Sequence, residues 1–251
     1  MELVTINNKE YAFYGKLRGA NTNKFNRVVK LAAQFEEFDI KFRGMFTRGS
    51  NSIYGLSEHA RLSLATLLMM HTGIRVGNEG SAEGYMTKPH PNSKAEPKFV
   101  QTYGLTTLKK EHIVVKGRRV FLNFLGKKQV ENSFVLHGVL AKQIRLLFGQ
   151  CQTDTLFDIT AYQLTKFIHT YVGKQFSPKD FRTMKANMEA WQVLSLILER
   201  PTPSTKKEFN AEIKEIAVHV SECLNNTPGV CKKSYIDDML FTHHYEERWQ
   251  K

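Results

Sequence analysis

The sequence predicts an α+β fold, mainly helical, with a small antiparallel sheet and a short β-like N-terminal segment. Three observations support this. Apolar residues recur at helical spacing over most of the chain beyond residue 26, four short β-favouring runs fall between 104 and 136, and residues 1 to about 24 alternate weakly.

Taken in order, Leu3-Val4-Thr5-Ile6 and Tyr11-Ala12-Phe13-Tyr14 lead to Gly15 and Gly19, which reads as a strand or hairpin too small to be an independent domain. Val28, Val29, Leu31, Ala32 and Phe35 predict a helix over 26–38, and the Arg/Gly/Ser-rich stretch Arg43 to Ser52 reads as a loop. Ser57 is the expected N-cap of a helix over 58–71 with Leu62, Leu64, Leu67 and Leu68 inward. Residues 86–101 hold three prolines and three lysines without periodicity, a loop that either contacts a polyanion or is a solvated insertion.

The β-favouring runs are Gly104–Leu108, His112–Val115, Val120–Phe124 and Ser133–Leu136, and they predict the sheet. Leu125-Gly126-Lys127-Lys128-Gln129 joins the last two, placing Lys127 at a hairpin tip. Helices follow over 138–148 and 160–172, then one begun by Ser177 as N-cap and Pro178 at its first position. Pro201-Thr202-Pro203-Ser204 is a break, 206–224 is helical, and Thr227-Pro228 starts the last helix, which bears Tyr235. No internal repeat is apparent.

A chain of 251 residues with 41% hydrophobic and 24% charged residues can bury a sizeable core. Its 36 Lys+Arg against 24 Asp+Glu leave a net charge of +12, which points to a polyanionic partner, the alternative being a basic surface that binds nothing. Cys151, Cys223 and Cys231 include no Cys-x-x-Cys, so neither a disulfide framework nor a zinc knuckle is indicated. The N-terminus lacks a basic region followed by an apolar core, and the longest apolar run, around Leu64 to Met70, is too short to span a bilayer; a soluble, intracellular protein is expected.

Candidate chemistry centres on Tyr235, which follows Thr227-Pro228 and the lysines Lys232 and Lys233. Tyrosine is a poor nucleophile at its free pKa of about 10, so an attacking Tyr needs groups that assist proton loss and hold a phosphorus in line. Cations stand at other element ends. Arg75 lies between Gly73 and Gly77, where backbone can approach a ligand, although pairing with Glu79 would explain it structurally. Lys127 is either catalytic or merely solvated, and Lys179 and Arg182 share one helix face.

These residues carry a resemblance. Gly73-Ile74-Arg75-Val76-Gly77-Asn78-Glu79, Gly104-Leu105-Thr106-Thr107-Leu108 with His112-Ile113, Phe124-Leu125-Gly126-Lys127, Lys179-Asp180-Phe181-Arg182-Thr183, and Asn226-Thr227-Pro228 with Tyr235 occur in the order seen in small type IB DNA topoisomerases. The chain resembles that family, of the poxvirus and bacterial kind, over roughly residues 26–240. The resemblance implies a catalytic domain over 26–251 in which Tyr235 attacks a phosphodiester of duplex DNA to form a 3′-phosphotyrosyl link. Arg75 and Arg182 would bind the non-bridging oxygens, Lys127 would be general acid to the 5′ oxygen, and Lys179 would relay the proton. It further implies a DNA-associated monomer in nucleoid, nucleus or viral particle that uses neither metal nor nucleotide cofactor.

Two departures stand out. Asn226 takes the position where many members have His, so it donates a hydrogen bond to phosphate without charge; alternatively it is the N-cap of the Tyr235 helix. Residues 1–25 stand where the family carries a β-rich clamp domain, so a reduced or missing clamp is expected. Rival readings are a tyrosine recombinase, against which Lys179-Asp180-Phe181-Arg182 departs from the usual His-x-x-Arg, and a catalytically inactive basic DNA-binding domain.

Overall fold

The computed structural model of the chain describes residues 1–14, 22–50, 56–88 and 96–249. Gly15, Gly19, residues 51 and 52 of the predicted loop and residues 89–95 of the Pro/Lys stretch lie outside the described residues. The chain divides into two compact units, Met1–Lys41 with Met69–Gly73 and Ile168–Lys251, and Phe42–Leu68 with Ile74–Phe167.

The first unit opens with a hairpin, β1 (Glu2–Ile6) paired antiparallel with β2 (Lys9–Phe13) from Glu2↔Phe13 to Ile6↔Lys9. Asn7 and Asn8 turn it with φ of 50° and 61°, the left-handed pair that a tight two-residue hairpin demands and Asn tolerates. Helix α1 (Thr22–Ala33) and β2 both pack on α7 (Pro178–Leu198), the long helix at the centre of this unit. Against α7 lie α8 (Lys206–Cys223) and α10 (Asp238–Arg248), with the short α9 (Pro228–Ser234) on α8. The core they share includes Ala186, Ala190 and Leu194 of α7, Ile216 and Val220 of α8, and the ring of Tyr235.

Three sequence expectations are corrected in the helical parts. The predicted 26–38 helix is two helices, α1 and α2 (Phe35–Ser50), and the stretch expected to be a loop from Arg43 is helical to Ser50. Phe35, Phe38, Phe42 and Phe46, spaced three and four apart, are all at most 3% exposed, and burying that stripe outweighs the loop-like composition around it. Tyr235 does not lie on the last helix: it caps the C-terminus of α9, and α10 follows.

In the second unit, α3 (Glu58–Thr72, its last turn from Met69 belonging to the first unit) begins as expected, with Ser57 Oγ accepting from Ala60 N at 3.2 Å. It is buried almost all round, and its two inward hydroxyls are satisfied locally, Ser63 donating to Ala60 O and Thr66 to Leu62 O. The sheet has three antiparallel strands in sequence order, β5 (Ile113–Lys116), β6 (Arg119–Gly126) and β7 (Val130–Leu136), not the four expected. The run at 104–108 is a 3₁₀ turn, Leu105–Thr107, whose side chains are buried and whose backbone bonds to the segment after α3. A short α4 (Glu79–Glu83) leads to a two-residue pair, β3 (Tyr85–Met86) with β4 (Phe99–Val100). Helix α5 (Gly138–Gln150) packs on β6, and α6 (Ala161–Tyr171) follows it in the chain. No helix among the described residues is long and apolar enough to cross a membrane.

Candidate active site

In the second unit the chain leaves α3 and turns through Gly77, whose φ of 105° suits glycine. Leu105 N donates to Arg75 O at 2.8 Å and Thr106 N to Val76 O at 2.7 Å, so the Leu105–Thr107 turn holds the backbone on both sides of Arg75. The approach is so close that a Cβ on Gly104 would lie 2.5 Å from Gly77 N and 2.8 Å from Arg75 O. Gly104-Leu105-Thr106-Thr107 is therefore a backbone clamp for Arg75. The Arg75 side chain is half-buried and, among the described residues, makes no ion pair with Glu79, which instead opens α4 behind its N-cap Asn78.

Lys127 stands in a 3₁₀ turn at the β6–β7 hairpin tip, exposed, with Lys128 and Gln129 in the left-handed region at φ 64° and 59°. Tyr103 N donates to Leu125 O at 2.7 Å, tying the hairpin to the turn below it. Arg75, Lys127 and Lys128 line one cavity of about 580 Å³, with Tyr85, Asn78 and Tyr103 also on its wall. Two of the predicted cations, 52 residues apart in sequence, thus share one concave surface.

In the first unit α7 starts with a capping box: Ser177 N donates to Asp180 Oδ2 at 2.8 Å, and Arg27 of α1 reaches Asp180 Oδ1 at 3.1 Å. Asp180 in the Lys179–Thr183 motif is accordingly spent on structure. Arg182, 3% exposed, donates Nη1 to Gly73 O at 2.7 Å and Nη2 to Leu224 O at 2.6 Å. Both acceptors end helices, Gly73 beyond α3 and Leu224 capping α8, where carbonyls carry the negative pole that a buried cation needs. The guanidinium carbon sits 5.2 Å from the centroid of the Tyr235 ring.

Tyr235 is 8% exposed, and among the described residues its hydroxyl makes no hydrogen bond. Its backbone is held by Asn187 of α7, whose amide donates to Tyr235 O at 2.9 Å and whose oxygen accepts from Asp237 N at 2.8 Å. Asn225, at φ 47°, is the left-handed residue ending α8, and Asn226 N returns to Ser221 O at 2.9 Å. The N-cap of α9 is Thr227, which accepts from Val230 N, so the alternative placing Asn226 there is overturned. Asn226 Oδ1 accepts from Thr227 N at 3.0 Å, and its amide nitrogen is buried with no partner among the described residues. Lys179 is exposed in the first turn of α7, so it and the buried Arg182 share a helix but not an environment.

The sequence model of the family described as eukaryotic DNA topoisomerase I, catalytic core, matches residues 15–248. The chain belongs to this family. Among its relatives, DNA topoisomerase 1B of Acanthamoeba polyphaga mimivirus is 24% identical over 234 residues, covering 88% of this chain and 64% of the relative. DNA topoisomerase 1 of rabbit fibroma virus is 27% identical over 150 residues, 57% of this chain and 45% of that one. DNA topoisomerase 1B of vaccinia virus, strain Copenhagen, is 29% identical over 146 residues, 54% and 43% respectively. The chain thus spans less than two thirds of each of these relatives. Membership in this family favours the topoisomerase resemblance over that to a tyrosine recombinase.

Within this topoisomerase core, two polar residues escaped sequence reasoning. Asn187 is five positions after Arg182 and looks like an interior helix residue; its role appears only because the Tyr235–Asp237 backbone crosses it. Lys24 donates to Ser234 O at 2.6 Å, beside the tyrosine. Burial lowers the Lys24 pKa, and the positive charge of Lys179 lowers it further. The Lys24–Lys179 pairing has no local signature because 155 residues separate them.

Proposed function

We propose that this chain relaxes supercoiled duplex DNA by transient cleavage of one strand, acting as a monomer and requiring neither nucleotide nor metal for the cleavage. Tyr235 Oη attacks the scissile phosphorus, and the bond to the 5′ oxygen breaks as the Oη–phosphorus bond forms. Lys127 gives its proton to the leaving 5′ oxygen, Lys179 supports that transfer, and the phenolic proton passes to solvent. Arg75 and Arg182 hold the non-bridging oxygens where charge grows. The Asn226 amide, a donor without a partner among the described residues, adds a neutral hydrogen bond to one of them. Attack by the same 5′-hydroxyl on the phosphotyrosine reverses the step after the strand has rotated, so bond energy is conserved.

The observation that carries the reading is the ring of Tyr235 against a buried guanidinium already fixed by two carbonyls. Phosphoryl transfer draws mainly on positioning and charge stabilisation, and a fixed cation beside the nucleophile supplies both. The cavity wall bearing Arg75 and Lys127 supports the other two roles, and the net charge of +12 supports a DNA partner, bound wherever in the cell or particle DNA resides.

The test is negatively supercoiled plasmid with the protein in EDTA and without ATP, followed by denaturation and mapping of any covalent adduct. Relaxation with protein on a 3′ end, lost in Tyr235→Phe, is the expected result; relaxation by Tyr235→Phe at the wild-type rate removes Tyr235 as nucleophile. Lys127→Ala should slow cleavage by about 10²-fold or more while duplex affinity changes little. Equal losses in both would make Lys127 a phosphate contact.

A further inference from the structure

Glu189 on α7 and His219 and Cys223 on α8 form a cluster that the DNA chemistry does not use. His219 and Cys223 are four apart and lie on one face of α8. Glu189 Oε2 is 3.0 Å from His219 Nε2 and 3.6 Å from Cys223 Sγ, and Sγ is 3.6 Å from Nε2. The three donor atoms therefore close a triangle, all within 4.8 Å of one another.

The size of that triangle identifies what would fit its centre. With zinc–sulfur bonds of about 2.3 Å and zinc–nitrogen or zinc–oxygen bonds of about 2.0–2.1 Å, tetrahedral geometry sets sulfur–nitrogen and sulfur–oxygen edges of ~3.6 Å and a nitrogen–oxygen edge of ~3.3 Å. Both sulfur edges in the protein already have that length, and the remaining edge needs only a few tenths of an ångström. The donors are also held in place. Glu189 is 8% exposed, and its second oxygen, Oε1, is fixed at 2.5 Å by Lys185 one turn earlier on α7. Around the cluster Ala186, Ala190 and Val193 of α7 and Ile216 and Val220 of α8 pack into the core. The His219 side chain remains 39% exposed, which leaves an entry path and room for a water as fourth ligand.

We propose that Glu189, His219 and Cys223 bind a thiophilic divalent ion of the zinc type, with water completing a tetrahedron. Thiolate and imidazole together select zinc over magnesium or calcium, which take oxygen ligands. On binding, Sγ loses its proton to solvent as the sulfur–metal bond forms, and the imidazole offers Nε2 while its proton resides on Nδ1. The carboxylate and thiolate supply two negative charges against the dication. The ammonium of Lys185 opposes it, so this three-residue site is weaker than one made of four thiolate and imidazole ligands. The ion would tie α7 to the last turn of α8, next to Leu224, whose carbonyl holds Arg182.

The experiment is titration of the metal-free full chain with Co²⁺, read by the near-ultraviolet charge-transfer band of a thiolate ligand and the visible bands of a tetrahedral ion. One equivalent bound, displaced by Zn²⁺, abolished in Cys223→Ser, retained in Cys151→Ser and weakened at least about 10-fold in His219→Ala is the expected result. Absence of a thiolate band, or the same band in Cys223→Ser, overturns the proposal. Should Cys223→Ser fail to fold, alkylation of the folded wild type decides: Zn²⁺ is expected to protect Cys223, and equal labelling with and without Zn²⁺ overturns the site. Neither readout depends on DNA cleavage.

Discussion

The guanidinium of Arg182 stands 5.2 Å from the centre of the Tyr235 ring, and the carbonyls of Gly73 and Leu224 hold it there at 2.7 and 2.6 Å. Two acceptors on separate helix ends need a planar, forked donor, and a lysine ammonium in the same place cannot span both with its aim preserved. Arg182→Lys is therefore expected to lose about 10²-fold or more in single-turnover formation of the covalent adduct. Stability should fall by about 1–3 kcal/mol as a buried carbonyl goes unpaired. A variant that forms adduct at the wild-type rate would show that Arg182 is a structural cation only.

Arg75 depends on a different device, the contact of Gly104 with the backbone of Arg75 and Gly77. A methyl group at position 104 meets backbone atoms, not the end of a flexible side chain, so the Arg75 segment itself must move. Gly104→Ala should weaken the bonds from Leu105 N and Thr106 N and slow adduct formation by about 10-fold or more, since small displacements of a positioned group are costly. Duplex affinity measured in parallel should change far less; a full-rate Gly104→Ala would mean that this clamp does not set the reach of Arg75.

Asn187 joins α7 to the backbone around the tyrosine through Tyr235 O and Asp237 N. Asn187→Ala removes both bonds and leaves buried groups unpaired, at a cost of about 1–3 kcal/mol in denaturant unfolding. If the amide also positions Tyr235, the cleavage rate should fall under conditions where the variant is fully folded. Asn187→Asp, which keeps the acceptor for Asp237 N but loses the donor to Tyr235 O, should retain more stability than it retains rate. Equal recovery of both would confine Asn187 to stability.

The legible parts of this molecule are those with local chemistry. Ser177-Pro178 and Thr227-Pro228 mark helix starts because Pro has no N–H to lose at the first position and the residue before it caps the turn, Thr227 by accepting from Val230 N and Ser177 by donating its N–H and hydroxyl to Asp180 Oδ2. The β6–β7 hairpin, and with it Lys127, follows from alternation around a polar turn. Where reading failed, tertiary packing had overridden local composition. Arg43–Ser50 looks like a loop until Phe42 and Phe46 are seen to continue the stripe of Phe35 and Phe38. Leu105–Thr107 has β-favouring residues, yet its backbone donors are taken by Arg75 and Val76 instead of a neighbouring strand. Lys24 and Asn187 were invisible for the same reason: each acts on the backbone at or next to Tyr235, from 210 and 48 positions away. His219 and Cys223 carried a signal, a His and a Cys four apart on a helix, but their third partner lies on α7.

His244 ties α10 to α8 and should make stability depend on pH. It is fully buried, stacked on Phe209 with ring centroids 4.6 Å apart, and Nε2 bonds Glu212 Oε2 at 2.8 Å. Glu212 is also bound by Arg248 through both carboxylate oxygens, and Nδ1 of His244 is buried without a partner among the described residues. Burial lowers the His244 pKa below its ordinary value; the Glu212 hydrogen bond and charge pull it up, while the charges of Arg248 and His243 push it further down. Because the folded chain disfavours the imidazolium, the unfolded chain takes up the proton first as pH falls. Stability from this group is therefore complete above the ordinary imidazole pKa of about 6.5 and declines as pH drops from there toward the lower folded value. Melting temperatures between pH 7.5 and 5 should fall more steeply for the wild type than for His244→Gln, which keeps a donor for Glu212 and removes the titration. Parallel curves for the two proteins would show that the acid sensitivity of this unit arises elsewhere.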